Sequence, residues 1–330
     1  MKKITALAAA ALVAASFIAS NVRAQSDQAP AQPNGALVAP GSGSFTMPGG
    51  PGHEQATITV YYHRPQNFDE SSPILIVLSG AGRDGDEYRD SWITASEKHS
   101  VLVLSPSYPE DQYDEAAYQL AGLIENLELR NLNLDDPSVY RLADEDIVFD
   151  VNRDRREWLF HDFDRLFDMV VKNVGSSQTA YDLFGHSAGG QIIQRMAIFY
   201  PDSKARRMVA GNSGFYTLPR MGEPMIFGVA DTGLTAEDLE RAFQVPLTLL
   251  LGELDNASET RGTTLSTPTA DAQGIGRFAR GQYFFIESQK IAASLDAEFR
   301  WAIEVVPGVG HDFRRMAEPA ARLLYETGER

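Results

Sequence analysis

From residue 57 onward, short apolar runs alternate with longer stretches in which apolar residues recur at helical spacing. Two of the runs hold nearly unbroken apolar segments, ILIVL within Ile74–Ser79 and LTLLL within Val245–Leu251. Such runs are the pattern of strands covered on both faces, since a half-exposed strand would alternate with polar residues. With Thr57–Tyr62, Val101–Ser105, Ala180–Gly185, Arg207–Gly211 and Ala302–Val306 they predict the strands of one mostly parallel sheet. Helices are predicted at Tyr88–Lys98, Ala188–Tyr200 and Arg314–Tyr325. A long excursion from Glu110 to Asn173, rich in acidic and aromatic residues, interrupts this alternation. Its last part, Trp158 to Val171, has the spacing of a helix covering the sheet, and the rest is a candidate cap over an active site. The fold class expected is α/β, with an insertion around 110–173.

The first 24 residues stand apart from that pattern. Lys2 and Lys3 precede an Ala/Leu/Val-rich run ending near Ile18, and Val22-Arg23-Ala24 offers small residues for cleavage. This is the build of a secretory signal cut after Ala24, which implies a periplasmic or secreted protein without a stable membrane anchor. Residues 25–52 have the Ala, Pro, Gly, Ser and Gln composition of a linker, which leaves 53–330 as a single catalytic domain. The chain has no cysteine, so neither a disulfide framework nor a thiolate metal site is available despite the oxidising destination. Its formal charge is −16; without Lys2, Lys3 and Arg23 it has 26 basic against 45 acidic residues, or −19. Nucleic acid is excluded as a partner on that balance, because binding it rests on dense phosphate neutralisation.

The strongest local motif is Gly185-His186-Ser187-Ala188-Gly189, placed between an apolar strand and a helix-forming stretch. The strand–turn–helix setting resembles the nucleophile elbow of α/β-hydrolases, in which a sharp turn exposes a serine above the sheet. Serine is a weak nucleophile at neutral pH and needs a base, which in turn needs an orienting acid. Six histidines are present, and only His311 follows Ser187. The order in this fold is serine, acid, histidine, so His311 in the Gly-rich segment 305–312 is the candidate base. His186 is read as a packing or hydrogen-bonding residue. Asp255, after the strand Val245–Leu251, is the preferred acid and Glu253 its competitor. The oxyanion donors are assigned to the backbone N–H of Ala188 and of Ala81, with Gly82 as the alternative to Ala81. No H-E-x-x-H or comparable cluster occurs, so no metal is implied.

Over about residues 55–326 the chain resembles the α/β-hydrolase superfamily, on the segments LSGAGRDGDEYRD, DLFGHSAGGQ, VPLTLLLGELD and VVPGVGHD in that order. Segments 212–219 (NSGFYTLP) and 273–281 (QGIGRFARG) are similar to a bacterial group of secreted esterases, polyester depolymerases and poly(aspartic acid) hydrolase. A departure is Ser79, where relatives often carry histidine. The resemblance implies hydrolysis of a small-molecule or polymeric carboxylic ester. Amide hydrolysis, as of poly(aspartic acid), and non-catalytic binding on the same scaffold are its rivals. Phe215 and Tyr216 are candidates to line the substrate pocket, and Arg277 and Arg280 to grip a substrate carboxylate or, alternatively, to bridge acidic loops. Gly274-x-Gly276-x-x-Ala279 formally fits a dinucleotide fingerprint, but no strand precedes it, so no cofactor is implied.

Overall fold

The computed structural model describes residues 37–326. In chain order the sheet-forming strands are β1 (Gly41–Pro48), β2 (Thr57–Arg64), β3 (Ile74–Leu78) and β4 (Leu102–Ser107), followed by the insertion strands β5 (Ile124–Leu129), β6 (Val139–Arg141) and β7 (Ile147–Val151). Then come β8 (Tyr181–His186), β9 (Ala205–Gly211), β10 (Leu247–Gly252), the short β11 (Thr264–Ser266) and β12 (Ala302–Val306). The helices are α1 (Gly85–Ser91), α2 (Ile93–His99), α3 (Phe160–Val174), α4 (Ala188–Phe199), α5 (Ala236–Phe243), α6 (Pro268–Ala272), α7 (Arg277–Ser294) and α8 (Phe313–Tyr325). None of these helices is long and apolar enough to cross a membrane.

Eight strands form one sheet in the order β1-β2-β4-β3-β8-β9-β10-β12, parallel from β4 to β12 and antiparallel at the β1-β2-β4 edge. The unbroken apolar runs have their explanation in the two cores. Along β3, Ile74, Ile76 and Leu78 face a core built with α3, α4, α5 and α7, while Leu75 and Val77 face one built with α1, α2 and α8. The same split recurs in β10, where Leu249 and Leu251 point one way and Leu250 the other. Strand periodicity of two places successive side chains on opposite faces, so both faces being covered demands apolar residues at every position.

Two expectations change. The linker assignment fails over Gly41–Pro48, which pair in full register with Thr57–Arg64 as the edge strand β1. Only Phe45 and Met47 of β1 face the core; the glycines, serines and threonine between them gave the segment its linker composition. An edge strand needs just that sparse alternation. The helix expected at Tyr88–Lys98 is two helices, α1 and α2, meeting at the buried Trp92. The segment expected to be a signal lies outside the described residues.

The 110–173 insertion runs first through the core, where Tyr113, Tyr118 and Ala121 are buried. It then forms an antiparallel β5–β7 pair and sends β6 to pair in parallel with β11. The insertion therefore touches the loop after β3, through Tyr118 and Ser79, and the segment after β10, through β6 and β11. Open α/β sheets present ligands at those ends.

Candidate active site

Each chemically interesting residue follows the carboxyl end of a parallel strand: Ala81 after β3, Ser187 after β8, Asp255 after β10 and His311 after β12. Ser187 caps α4 with φ 58° and ψ −116°, a conformation rare for a residue with a side chain. Its N–H is tied to Gly211 O at 2.9 Å. Close approach explains the flanking glycines. A methyl at Gly185 would lie 2.5 Å from the Gly189 carbonyl, and one at Gly189 would lie 2.3 Å from the Leu78 oxygen. The N–H of Ala188 is a first-turn donor that the helix cannot pair internally, and it sits at the positive end of α4.

The β3 loop passes directly over the elbow. A methyl on Gly80 would be 3.6 Å from Ser187 Cβ. Ala81 and Gly82 are exposed in a turn closed by Arg83 N–H to Gly80 O at 3.2 Å. Support for this loop comes from the insertion. Tyr118 donates to Ser79 O at 2.8 Å and lies 3.1 Å from Ser79 Oγ, while the buried Arg83 donates to Tyr113 O and stacks over the Tyr118 ring. A tyrosine thus braces Ser79, the residue before Gly80 and Ala81.

His311 Nδ1–H donates to Asp255 Oδ2 at 2.6 Å, which leaves Nε2 free to accept a proton. Asp255 is fully buried, and its other oxygen, Oδ1, accepts from Arg277 Nη1 at 2.9 Å. Glu253 is turned elsewhere, accepting the Gly308 N–H at 2.8 Å. Burial lowers the pKa of the His311 imidazole; the hydrogen bond to Asp255 opposes that shift, and the Arg277 charge adds to it. Glu259 takes the His311 backbone N–H at 2.8 Å and pairs with Arg261, whose guanidinium holds its carboxyl far below the usual range. Ser187 and His311 make no hydrogen bond to each other in this structure; such bonds commonly tighten only when substrate is bound.

Two residues not singled out as site residues in the sequence join the three loops. His186 is buried with its ring centroid 4.5 Å from that of His311, and burial pushes its pKa well below the ordinary value. Asn212, at φ 46°, uses its whole side-chain amide. Oδ1 accepts from Gly252 N–H at 2.8 Å, while Nδ2 donates to Gly310 O at 3.2 Å and to His186 Nε2 at 3.3 Å. One asparagine thereby links the chain next to Ser187, the strand end before Asp255 and the residue before His311. No motif marks it beyond its place at the end of an apolar strand, where asparagine tolerates the left-handed conformation.

All four residues expected to meet substrate are buried. Arg277 opens α7 and is buried against Asp255, with Nη2 donating to Thr263 O. Arg280 spends its guanidinium on Gly274 O, Gly214 O and Asp271. Tyr216 is fully buried and stacks on Phe284, its backbone clasped at both N–H and C=O by the Gln273 amide. Helix α7 carries both arginines to acidic residues, the alternative role weighed for them, and supplies the Phe284 ring on which Tyr216 stacks. Phe215 is 9% exposed, edge-on to Phe227 and under the Arg195 guanidinium. The glycine pattern at 274–279 serves packing: a methyl at Gly276 would lie 2.5 Å from the backbone of Asn256, in the loop that carries Asp255.

No protein-family model and no curated protein matches the chain. Solved structures do. Poly(aspartic acid) hydrolase-1 from Sphingomonas sp. KT-1 superposes with a TM-score of 0.75 at 32% identity, covering 87% of this chain and 100% of that one. LpqC, a poly(3-hydroxybutyrate) depolymerase from Bordetella parapertussis, gives 0.72 at 26% identity, with 87% and 90% covered. The siderophore hydrolase EstA from Aspergillus nidulans, at 0.51 and 12% identity over 89% and 97%, shares the fold alone. On this likeness, and on the strand order that brings the motif residues to one end of the sheet, the chain belongs to the α/β-hydrolase superfamily and is a hydrolytic enzyme.

Proposed function

We propose that the protein is a secreted serine hydrolase that cleaves a carboxylic ester through an acyl-enzyme. The observation that carries this reading is the 2.6 Å pair of His311 Nδ1 with the buried Asp255, beside a strained Ser187 at the carboxyl ends of the central strands. Asp255 holds the imidazole in the tautomer whose Nε2 is a base. Ser187 Oγ attacks the substrate carbonyl as its proton passes to Nε2, and the N–H groups of Ala188 and Ala81 take the negative charge of the tetrahedral adduct. His311 returns the proton to the leaving alcohol, and the same base then activates water to release the acid. The neutral imidazole favoured by burial suits the first step. Secretion is proposed from the basic, apolar and small-residue succession of residues 1–24.

A second reading, hydrolysis of the amide bonds of poly(aspartic acid), is favoured by the 32% identity to the Sphingomonas enzyme. Arg277 and Arg280 lend it no support, being engaged internally. The deciding experiment offers purified protein a fluorophosphonate probe, neutral aryl esters, short polyester oligomers and poly(aspartate). Labelling and ester turnover that vanish in Ser187→Ala are expected. Labelling that survives in Ser187→Ala removes the nucleophile assignment, and turnover of poly(aspartate) alone replaces the ester reading with the amide one.

A further inference from the structure

Arg277 occupies a place that its own helix does not favour. It is the first residue of α7, where the helix dipole is positive, and its side chain is 2% exposed. A buried guanidinium at a helix N-terminus is costly unless a carboxylate meets it. The carboxylate that does so is Asp255, with Oδ1 on Arg277 Nη1 at 2.9 Å and Oδ2 on His311 Nδ1 at 2.6 Å. A second bond, Nη2 to Thr263 O at 3.0 Å, fixes the guanidinium plane. The arginine also lies close to the imidazole: a methyl at Gly262 would be 3.1 Å from both Arg277 Nη2 and His311 Nε2. One carboxylate is therefore shared between a permanent cation and the proposed base.

We infer that Arg277 is a positioning residue of the hydrolytic site, which orients the Asp255 carboxylate toward His311 and sets the pH at which activity is lost on the acid side. The inference rests on the hydrolase reading of Ser187, Asp255 and His311. Its physical basis is that a cation beside the Asp255–His311 pair disfavours the imidazolium, so the base sheds its proton at lower pH than the carboxylate alone would allow. The other charged or titratable groups around His311 are Glu259, which binds its backbone N–H, Arg261 on the same loop, the buried His186 from β8 and the adjacent Asp312. Glu259, Arg261 and Asp312 form a chain of ion pairs among themselves, whereas Arg277 is buried against the acid.

The test compares the parent protein with Arg277→Gln, which removes the charge and keeps an amide donor, and Arg277→Lys, which keeps the charge and loses the planar fork. The kcat/KM of a neutral ester is followed against pH, and the His311 ring is titrated by NMR in a Ser187→Ala background, a readout independent of turnover. Arg277→Gln is expected to move the acid limb and the His311 titration upward by about one pH unit, with kcat reduced about tenfold. Arg277→Lys is expected to hold the midpoint within about 0.3 units while kcat falls. A His311 titration unmoved in Arg277→Gln, or moved equally by Arg277→Lys, overturns the inference. If Arg277→Gln does not fold, an upward shift in Arg277→Lys overturns it alone. A KM increase confined to anionic substrates would return Arg277 to a substrate-binding role. Absence of any ester turnover would sink the hydrolase reading while the NMR titration still decides the coupling of Arg277 to His311.

Discussion

The two flanks of the site are built by different means. On the side of the proposed nucleophile, Ser187 is held by backbone geometry and steric closure: a strained turn, glycines pressed against neighbouring carbonyls, and a strand hydrogen bond. On the side of the proposed acid and base, Asp255 and His311 hang on loops, and polar side chains hold them: Arg277, Glu259 and Asn212. Backbone closure tolerates almost no change at a few positions and is indifferent to the rest. A polar network spreads its dependence over residues far apart in sequence, and losing any one member leaves a buried partner unpaired.

That contrast can be tested from its strongest consequence downward. Asp255→Asn should reduce kcat by about 10⁴-fold through loss of the oriented tautomer. It should also destabilise the fold by about 3–5 kcal/mol in urea unfolding, because Arg277 stays buried without a counter-charge. A full loss of activity with unchanged stability would mean that the ion pair contributes nothing to folding. On the opposite flank, Gly189→Ala drives a methyl into the Leu78 carbonyl and should cost about 3 kcal/mol. A variant as stable and as readily labelled by fluorophosphonate as the parent would show that the elbow is not sterically closed. Asn212→Gly keeps a residue at ease in the left-handed region while deleting the amide that joins the three loops. It should lower kcat about 10- to 100-fold and stability by about 1–3 kcal/mol, the cost of leaving buried partners unpaired. KM alone changing would remove Asn212 from the network. Glu253→Gln closes the series at within about 0.5 kcal/mol and about twofold in rate, since the Glu253 side chain accepts the Gly308 N–H at the surface. Abolished turnover there would transfer the acid's role from Asp255.

The same contrast explains what could be read from the sequence. The elbow was legible because its strand, turn and helix are contiguous, and Gly185 and Gly189 carry the steric requirement in their identity. The pairing of His311 with Asp255 could be expected from chain order, since His311 is the histidine that follows Ser187. The central strands could be read because burial on both faces leaves long apolar runs such as ILIVL. The inward direction of Arg277 and Arg280 was not legible, since it depends on α7, whose amphipathic pattern is interrupted at Gly281 where the helix meets Leu251. Nor was Asn212, whose partners lie 26, 40 and 98 residues away. Strand β1 hid behind a composition that an edge strand shares with a linker.

That last strand bears on how the protein can be shortened. A chain trimmed to begin at residue 53, as composition alone advises, would lose all of β1. The backbone of β2 from Thr57 to Arg64 would then be an open row of donors and acceptors, beside the apolar surface that Phe45 and Met47 had covered. An uncovered strand edge is a template for pairing with other chains. Trimming of this protein for crystallisation or display should stop short of Val38, which is itself fully buried, or the shortened product will be prone to aggregate for reasons unrelated to its active site.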